Sequence, residues 1–239
     1  MDRFEFINTA IAITGLGFIQ PYKSMNIDPH LLIGKGNPKL VGKNHALLPQ
    51  ADKSFQEMHT AAQKDGISIK VVSSYRSYEK QKSIWNRKFS NFKDQGITDE
   101  EAISKIIEYS TLPGTSRHHW GTEVDIIDAS PLENGDVLIP EKFHGQGPYN
   151  TLREWMEENA QNYGFLLPYT QDEKRTGFKY EPWHYSYAPL SQPMLKDYLE
   201  LDHAQWILSE DLKGSRLLGA AFLEDYIKSH VMGVAASLL

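Results

Sequence analysis

Ser116-Arg117-His118-His119-Trp120-Gly121-Thr122-Glu123-Val124-Asp125-Ile126-Ile127 is the stretch on which the reading of this chain turns. Leu112-Pro113-Gly114 just before it ends any preceding helix. Gly121 permits a sharp turn, and Thr122 to Ile127 then reads as a strand, with Val124, Ile126 and Ile127 apolar and β-branched. Alternation along that strand puts Glu123 and Asp125 on one face, opposite Val124 and Ile126. One carboxylate on that face can act as a ligand while the apolar side packs into a core. The turn at Gly121 lets the loop residue His118 fold back near Asp125.

Working upstream, Ile67 to Val72 is a second β-branched run that reads as a strand. Ser73-Ser74-Tyr75-Arg76-Ser77 is a turn into a helix from about Tyr78 to Phe92. Thr98 and Glu101 make a capping-box pattern for a helix over Asp99 to Tyr109. Ala51 to Lys64 carries Phe55, Met58 and Ala62 at helical spacing and stops at Asp65-Gly66. Asp28 to Pro49, rich in Gly, Pro, Asn and Lys, reads as a loop-rich lead-in. Downstream, a helix is expected at about Thr151 to Asn162 and a last core strand at Phe178 to Tyr187. From Ser191 onward the pattern is helical, consistent with two helices packed on the core. The predicted class is α+β: a small antiparallel sheet with flanking helices on one side and extra C-terminal helices. The expected organisation is one domain over 1–239, with a core at about 50–190 and a C-terminal extension at about 191–239.

Composition narrows the chemistry. The 239 residues hold 25 Lys plus Arg against 31 Asp plus Glu, a formal net charge of −6, with no basic cluster. Nucleic-acid phosphates require a concentrated positive field, so they are not expected partners. Cysteine is absent, which excludes disulfides, thiolate metal sites and cysteine nucleophiles. Any metal must be held by carboxylates and the nine His residues. The leader Met1 to Ile7 has two acids against one base, and the apolar run from Thr9 to Ile19 is interrupted and too short to span a bilayer. The run is expected to form a buried first helix or strand, and the chain to be cytoplasmic.

Two segments carry the candidate chemistry: Ser116-x-His118-x-x-Gly121-x-x-x-Asp125, and Glu181-Pro182-Trp183-His184. A hydrolytic zinc site needs three protein ligands and one open position. His118, Asp125 and His184 supply that set. Glu181, three residues before His184, is the natural general base, taking a proton from water and returning it to a leaving amine.

These segments resemble the signature of the M15 zinc peptidases, the group that includes VanY-type D-alanyl-D-alanine carboxypeptidases and related L,D-carboxypeptidases. The family pattern is Ser-x-His-x-x-Gly-x-Ala-x-Asp followed by Glu-x-Trp-His, and Ser74-Tyr75-Arg76-Ser77 with Gln81 matches a third segment. The resemblance covers roughly Ile67 to Tyr187. It implies Zn2+ on His118, Asp125 and His184, Glu181 as base, and Arg76 as the cation that polarises the scissile carbonyl. Ser116 and Gln81 become candidate partners for the substrate's terminal carboxylate, and Tyr75 a candidate pocket residue. His119 and Trp120 are expected to pack rather than ligate. The sequence departs from the pattern at Glu123, where a small residue is expected; a partner behind a ligand, a specificity element and a solvated carboxylate all fit that position. The implied substrate is a muropeptide, read as a tetrapeptide trimmed by an L,D-carboxypeptidase in cell-wall recycling. The alternatives are a D,D-carboxypeptidase acting on pentapeptides, a phage-type endopeptidase and a non-catalytic zinc or peptidoglycan-binding module.

Overall fold

The sheet is assembled from strands far apart in sequence, and the helices between them set its register. In the computed structural model, residues 26–132, 134–207 and 211–239 are described; the run from Thr9 to Ile19 lies outside them. The lead-in contains one helical turn, α1 (Pro29–Leu32), capped by the Asp28 carboxylate, and a single bridge pairing Val41 with Leu47. Helix α2 (Pro49–Lys64) starts on a proline, where the missing N–H costs nothing, and buries Ala51, Phe55, Met58 and Ala62 along one face. Gly66, at φ +81°, turns the chain into strand β1 (Ile69–Ser73). Ser77 caps α3 (Tyr78–Asp94), and Thr98 accepts from the Glu101 amide to cap α4 (Asp99–Ile106). That helix ends at Ile106 rather than Tyr109, and the Tyr109 amide reaches back only three residues, to the Ile106 carbonyl.

Strand β2 (Glu123–Asp128) is followed by α5 (Asn150–Asn159), the two-residue β3 (Phe165–Leu166) and β4 (His184–Tyr187). All pairings are antiparallel, in the order β1-β2-β4-β3. The expected strand from Phe178 to Tyr187 is real only from His184. Upstream of it Pro182 has no amide to donate, and Glu181 N bonds to the Tyr169 carbonyl instead of to a ladder. The tail differs too. Helix α6 (Ala188–Leu199) begins before Ser191, with Pro189 in its first turn. Short α7 (His203–Ile207) and α8 (Ala220–Tyr226) follow, the latter running into a π-helical turn at Ile227–Val231. Gly214 at φ +78° helps break what the apolar pattern suggested was two longer helices.

Two cores result. Helices α2 and α5 pack on one face of the sheet against Val124, Ile126, Tyr185 and Tyr187. The second core packs helix on helix, with α3, α4, α6 and α8 gathered around Trp85, Trp120 and Tyr198. The opposite sheet face carries Glu123 and Asp125, as alternation required, and both are buried. Among the described residues no helix is long and apolar enough to cross a membrane.

Candidate active site

Register builds the centre of the site. Asp125 on β2 pairs directly with His184 on β4, and Glu123 pairs with Ser186. On the other flank a bulge between Val71 and Ser73 brings Ser73 opposite Asp125 and leaves Val72 exposed. His118 stands on a single 3-10 turn, Arg117–Trp120, which Gly121 closes at φ +68°. The left-handed conformation there is what calls for glycine, since a Cβ at Gly121 would meet at 2.8 Å only the movable end of the Leu40 side chain.

The side chains converge. One ligand atom from each of His118, Asp125 and His184 lies within 4.8 Å of the others. His118 Nε2 is 3.3 Å from Asp125 Oδ2, and its Nδ1 donates to the Ser74 carbonyl at 2.7 Å. His184 Nδ1 is 3.4 Å from Asp125 Oδ1 and 3.1 Å from Glu181 Oε2. Its Nε2 is 2.8 Å from Glu123 Oε2. Burial opposes charge on the His184 imidazole, but the bonds to Glu123 and Glu181 and the nearby Asp125 charge outweigh it and hold its pKa at about 10. Burial likewise opposes ionisation of Asp125, yet the His118 and His184 rings and Arg76 bring its carboxyl down to about 2.

A divalent metal fits this arrangement. Asp125 Oδ1 is buried without a hydrogen-bond partner, an orphan that a cation would satisfy. Two imidazole nitrogens and a carboxylate oxygen, with no thiolate, are a donor set suited to zinc with a position left open. His119 has no part in it. Its Nδ1 bonds to the Arg76 carbonyl, its Nε2 accepts from the Gly114 amide, and burial pushes its pKa down to about 3.

The ligand cluster forms one wall of a cavity of about 530 Å3, which Arg76, Ser116, Glu181 and Trp183 also line. Arg76 is braced by Gln81 Oε1 at 2.8 Å and Ser73 Oγ at 3.0 Å. Gln81 itself is fully buried and off the cavity wall, its amide donating to the Thr111 carbonyl at 2.7 Å. It therefore reaches substrate only through Arg76. Tyr75 is half-buried and also stands off the wall. Three lining or supporting residues were not singled out in the sequence: Lys88, whose ammonium donates to Ser110 in the cavity wall, and the buried pair Arg117 and Ser186. Lys88 lies one and two turns beyond Ile84 and Gln81 on α3, a spacing that could have placed it on the same face.

Known proteins resemble this chain in sequence and fold. A family model described as VanY, D-alanyl-D-alanine carboxypeptidase, matches residues 44–190, more than half of the chain. A D-alanyl-D-alanine carboxypeptidase of Enterococcus faecalis is 35% identical over 135 residues, 56% of this chain and 45% of that protein, so the match spans less than half of the relative's length. The bifunctional D-Ala-D-Ala dipeptidase and D-Ala-D-Ala carboxypeptidase VanXYC of Enterococcus gallinarum is 28% identical, covering 80% of this chain and 87% of its own. Among solved structures, VanYB in complex with D-alanine-D-alanine superposes with a TM-score of 0.54 at 26% identity, over 74% of this chain and 91% of that one. A mutant of the vancomycin-resistance D,D-pentapeptidase VanY, in complex with Zn(II), gives 0.52 at 29%, over 69% and 85%. With its fold, its metal-ligand geometry and this match in agreement, the chain belongs to the VanY D-alanyl-D-alanine carboxypeptidase family of zinc peptidases.

Proposed function

We propose that this protein is a zinc carboxypeptidase that releases the terminal D-Ala from peptidoglycan stem peptides. The observation that carries the reading is the convergence of His118, Asp125 and His184 beside Glu181, on the wall of a cavity that also presents Arg76 and Ser116. Zinc held by the three ligands would polarise the scissile carbonyl and acidify water. The chain supplies the rest. Glu181 would take a proton from the attacking water and return it to the departing amine. The Arg76 guanidinium, fixed in advance by Gln81 and Ser73, meets the negative charge that grows on the carbonyl oxygen. The Ser116 hydroxyl, in the cavity wall, is the candidate donor to the substrate's carboxylate.

Two stem lengths suit such a site. A pentapeptide ending in D-Ala-D-Ala is supported by the names of the relatives and by the ligand in the VanYB complex. The tetrapeptide, cut after its diamino acid by L,D-carboxypeptidase activity in a cytoplasmic recycling role, is the reading reached from the sequence. Incubating zinc-loaded protein separately with each muropeptide and weighing the products decides between them. Loss of one D-Ala from the tetrapeptide alone establishes the L,D activity. Conversion of pentapeptide to tetrapeptide without further trimming establishes the D,D activity. No product from either overturns the proposal in favour of a binding module.

A further inference from the structure

Glu123 occupies the position where the family pattern has a small residue, and its two oxygens have different surroundings. Oε1 is ringed by donors: Ser186 Oγ at 2.7 Å, Thr122 Oγ1 at 2.9 Å and Arg117 Nη2 at 3.4 Å. Oε2 faces a single group, His184 Nε2, at 2.8 Å. The cluster is buried, and of the Arg117 guanidinium nitrogens only Nη2 is paired within it, Nε and Nη1 lying buried without a hydrogen-bond partner. Glu123 is fully buried and Arg117 nearly so. The Arg117 guanidinium stacks 4.8 Å from the Trp120 ring and donates to Ser186 at 2.6 Å, while Ser186 also pairs with Ser191 at 2.7 Å.

We infer that Glu123 is a positioning residue for the metal site, accepting the Nε2–H of His184 so that Nδ1 is the atom presented to the metal. Arg117, Ser186 and Thr122 hold the carboxylate in that pose by occupying its other oxygen. A buried ion pair serving stability alone would be complete at Oε1, with no need to aim Oε2 at an imidazole. His118 is fixed by the mirror arrangement: Nδ1 donates to the Ser74 carbonyl and Nε2 faces Asp125. A histidine ligand whose far nitrogen donates to a carboxylate has its ring angle set in advance and keeps that proton when the metal displaces the one on the near nitrogen. The two rings are thus locked through opposite nitrogens, one by a backbone carbonyl and one by a carboxylate at the position where the family pattern has a small residue. The inference rests on the zinc reading of the site.

Glu123→Gln tests it with little change of shape. The three donors around Oε1 would draw the amide oxygen to that side and leave the NH2 facing His184 Nε2. Donor would then face donor, and His184 would relieve the clash by turning its ring or by giving up the Nε2 proton and keeping the one on Nδ1, the ligand atom. Zinc affinity, read by chelator competition, is expected to weaken about 10- to 100-fold, with the metal-free variant folded by circular dichroism. A folded variant with wild-type zinc affinity overturns the proposal, whatever its melting temperature. A second measurement needs no variant. Ring-nitrogen NMR of zinc-loaded wild type should show His184 metal-bound at Nδ1 and protonated at Nε2, with His118 the reverse. His184 bound through Nε2 overturns the inference even if Glu123→Gln does not fold. Absence of any metal-shifted ring nitrogen would instead overturn the zinc reading beneath it.

Discussion

Glu181 reaches His184 Nδ1 through Oε2 at 3.1 Å, so it adjoins the ligand set without being needed to complete it. Glu181→Gln is therefore expected to keep stoichiometric zinc while lowering kcat about 10²- to 10⁴-fold, the usual contribution of a general base. Metal analysis alongside turnover checks both halves, and near-normal kcat would remove Glu181 from the role. At this scale the sequence was informative wherever chemistry depends on residue type and order. His118, Asp125, Glu181 and His184 could be singled out because two short segments carry them. Gln81 was read as a substrate partner because it matches, with Tyr75-Arg76-Ser77, a segment of the family pattern, whereas its amide is committed to Arg76 and to Thr111, 30 residues away. Glu123 stayed open for the same reason. Which oxygen of a buried carboxylate faces which donor is settled by the β2–β4 register, and nothing in the local sequence states that register.

Helix α8 acts at a distance from its own surface. Its Tyr226 hydroxyl accepts from the Leu112 amide at 3.0 Å and from Thr115 Oγ1 at 3.3 Å, pinning the loop that leads into Ser116 and His118. Tyr226→Phe would leave a buried N–H without an acceptor, costing about 1–3 kcal/mol, and a fall in the urea midpoint at unchanged slope would confirm it. The next turn adds pH sensitivity. The His230 ring stacks on Tyr226 at 4.6 Å and meets Phe178 edge-on, and burial lowers its pKa from 6.5 to about 4. Between those values the unfolded chain binds the proton that the folded ring refuses. The His230 contribution to stability is thus complete above pH 6.5 and erodes as pH falls toward 4. His230→Phe should flatten that part of the stability profile relative to wild type, measured as the difference between paired urea titrations. Helices α2, α3 and α4 were readable because caps and an apolar stripe specify a helix locally. Strand β3, two residues long, exists only because β4 offers it an edge, and no periodicity fits in so short a span.

Across the whole molecule, the family match ends at residue 190, yet the tail beyond it is packed into the fold. Leu212, Leu218, Leu223 and Val231 share one apolar cluster with Trp85, Phe89 and Ile103 of α3 and α4, and the Trp85 indole donates to the Lys213 carbonyl at 3.0 Å. Truncation after Leu199 should uncover that cluster and abolish cooperative unfolding, seen as loss of the near-ultraviolet circular dichroism signal; a truncated chain that melts cooperatively would mark the tail as separable. Amphipathic spacing in the sequence announced that the tail was helical. It could not announce the partner surface, because that surface is assembled from α3, α4 and α6 only once all three have packed.

The Arg117–Glu123 pair also constrains which single substitutions the fold tolerates. Each charge is buried, and each makes the other tolerable. Restoring the family's small residue by Glu123→Ala alone strands the guanidinium and should cost about 3–5 kcal/mol. The same exchange combined with Arg117→Met removes both charges and should recover most of that loss, a strongly non-additive result in a double-mutant cycle. The two positions are then coupled, each tolerating an uncharged side chain only when the other is uncharged as well.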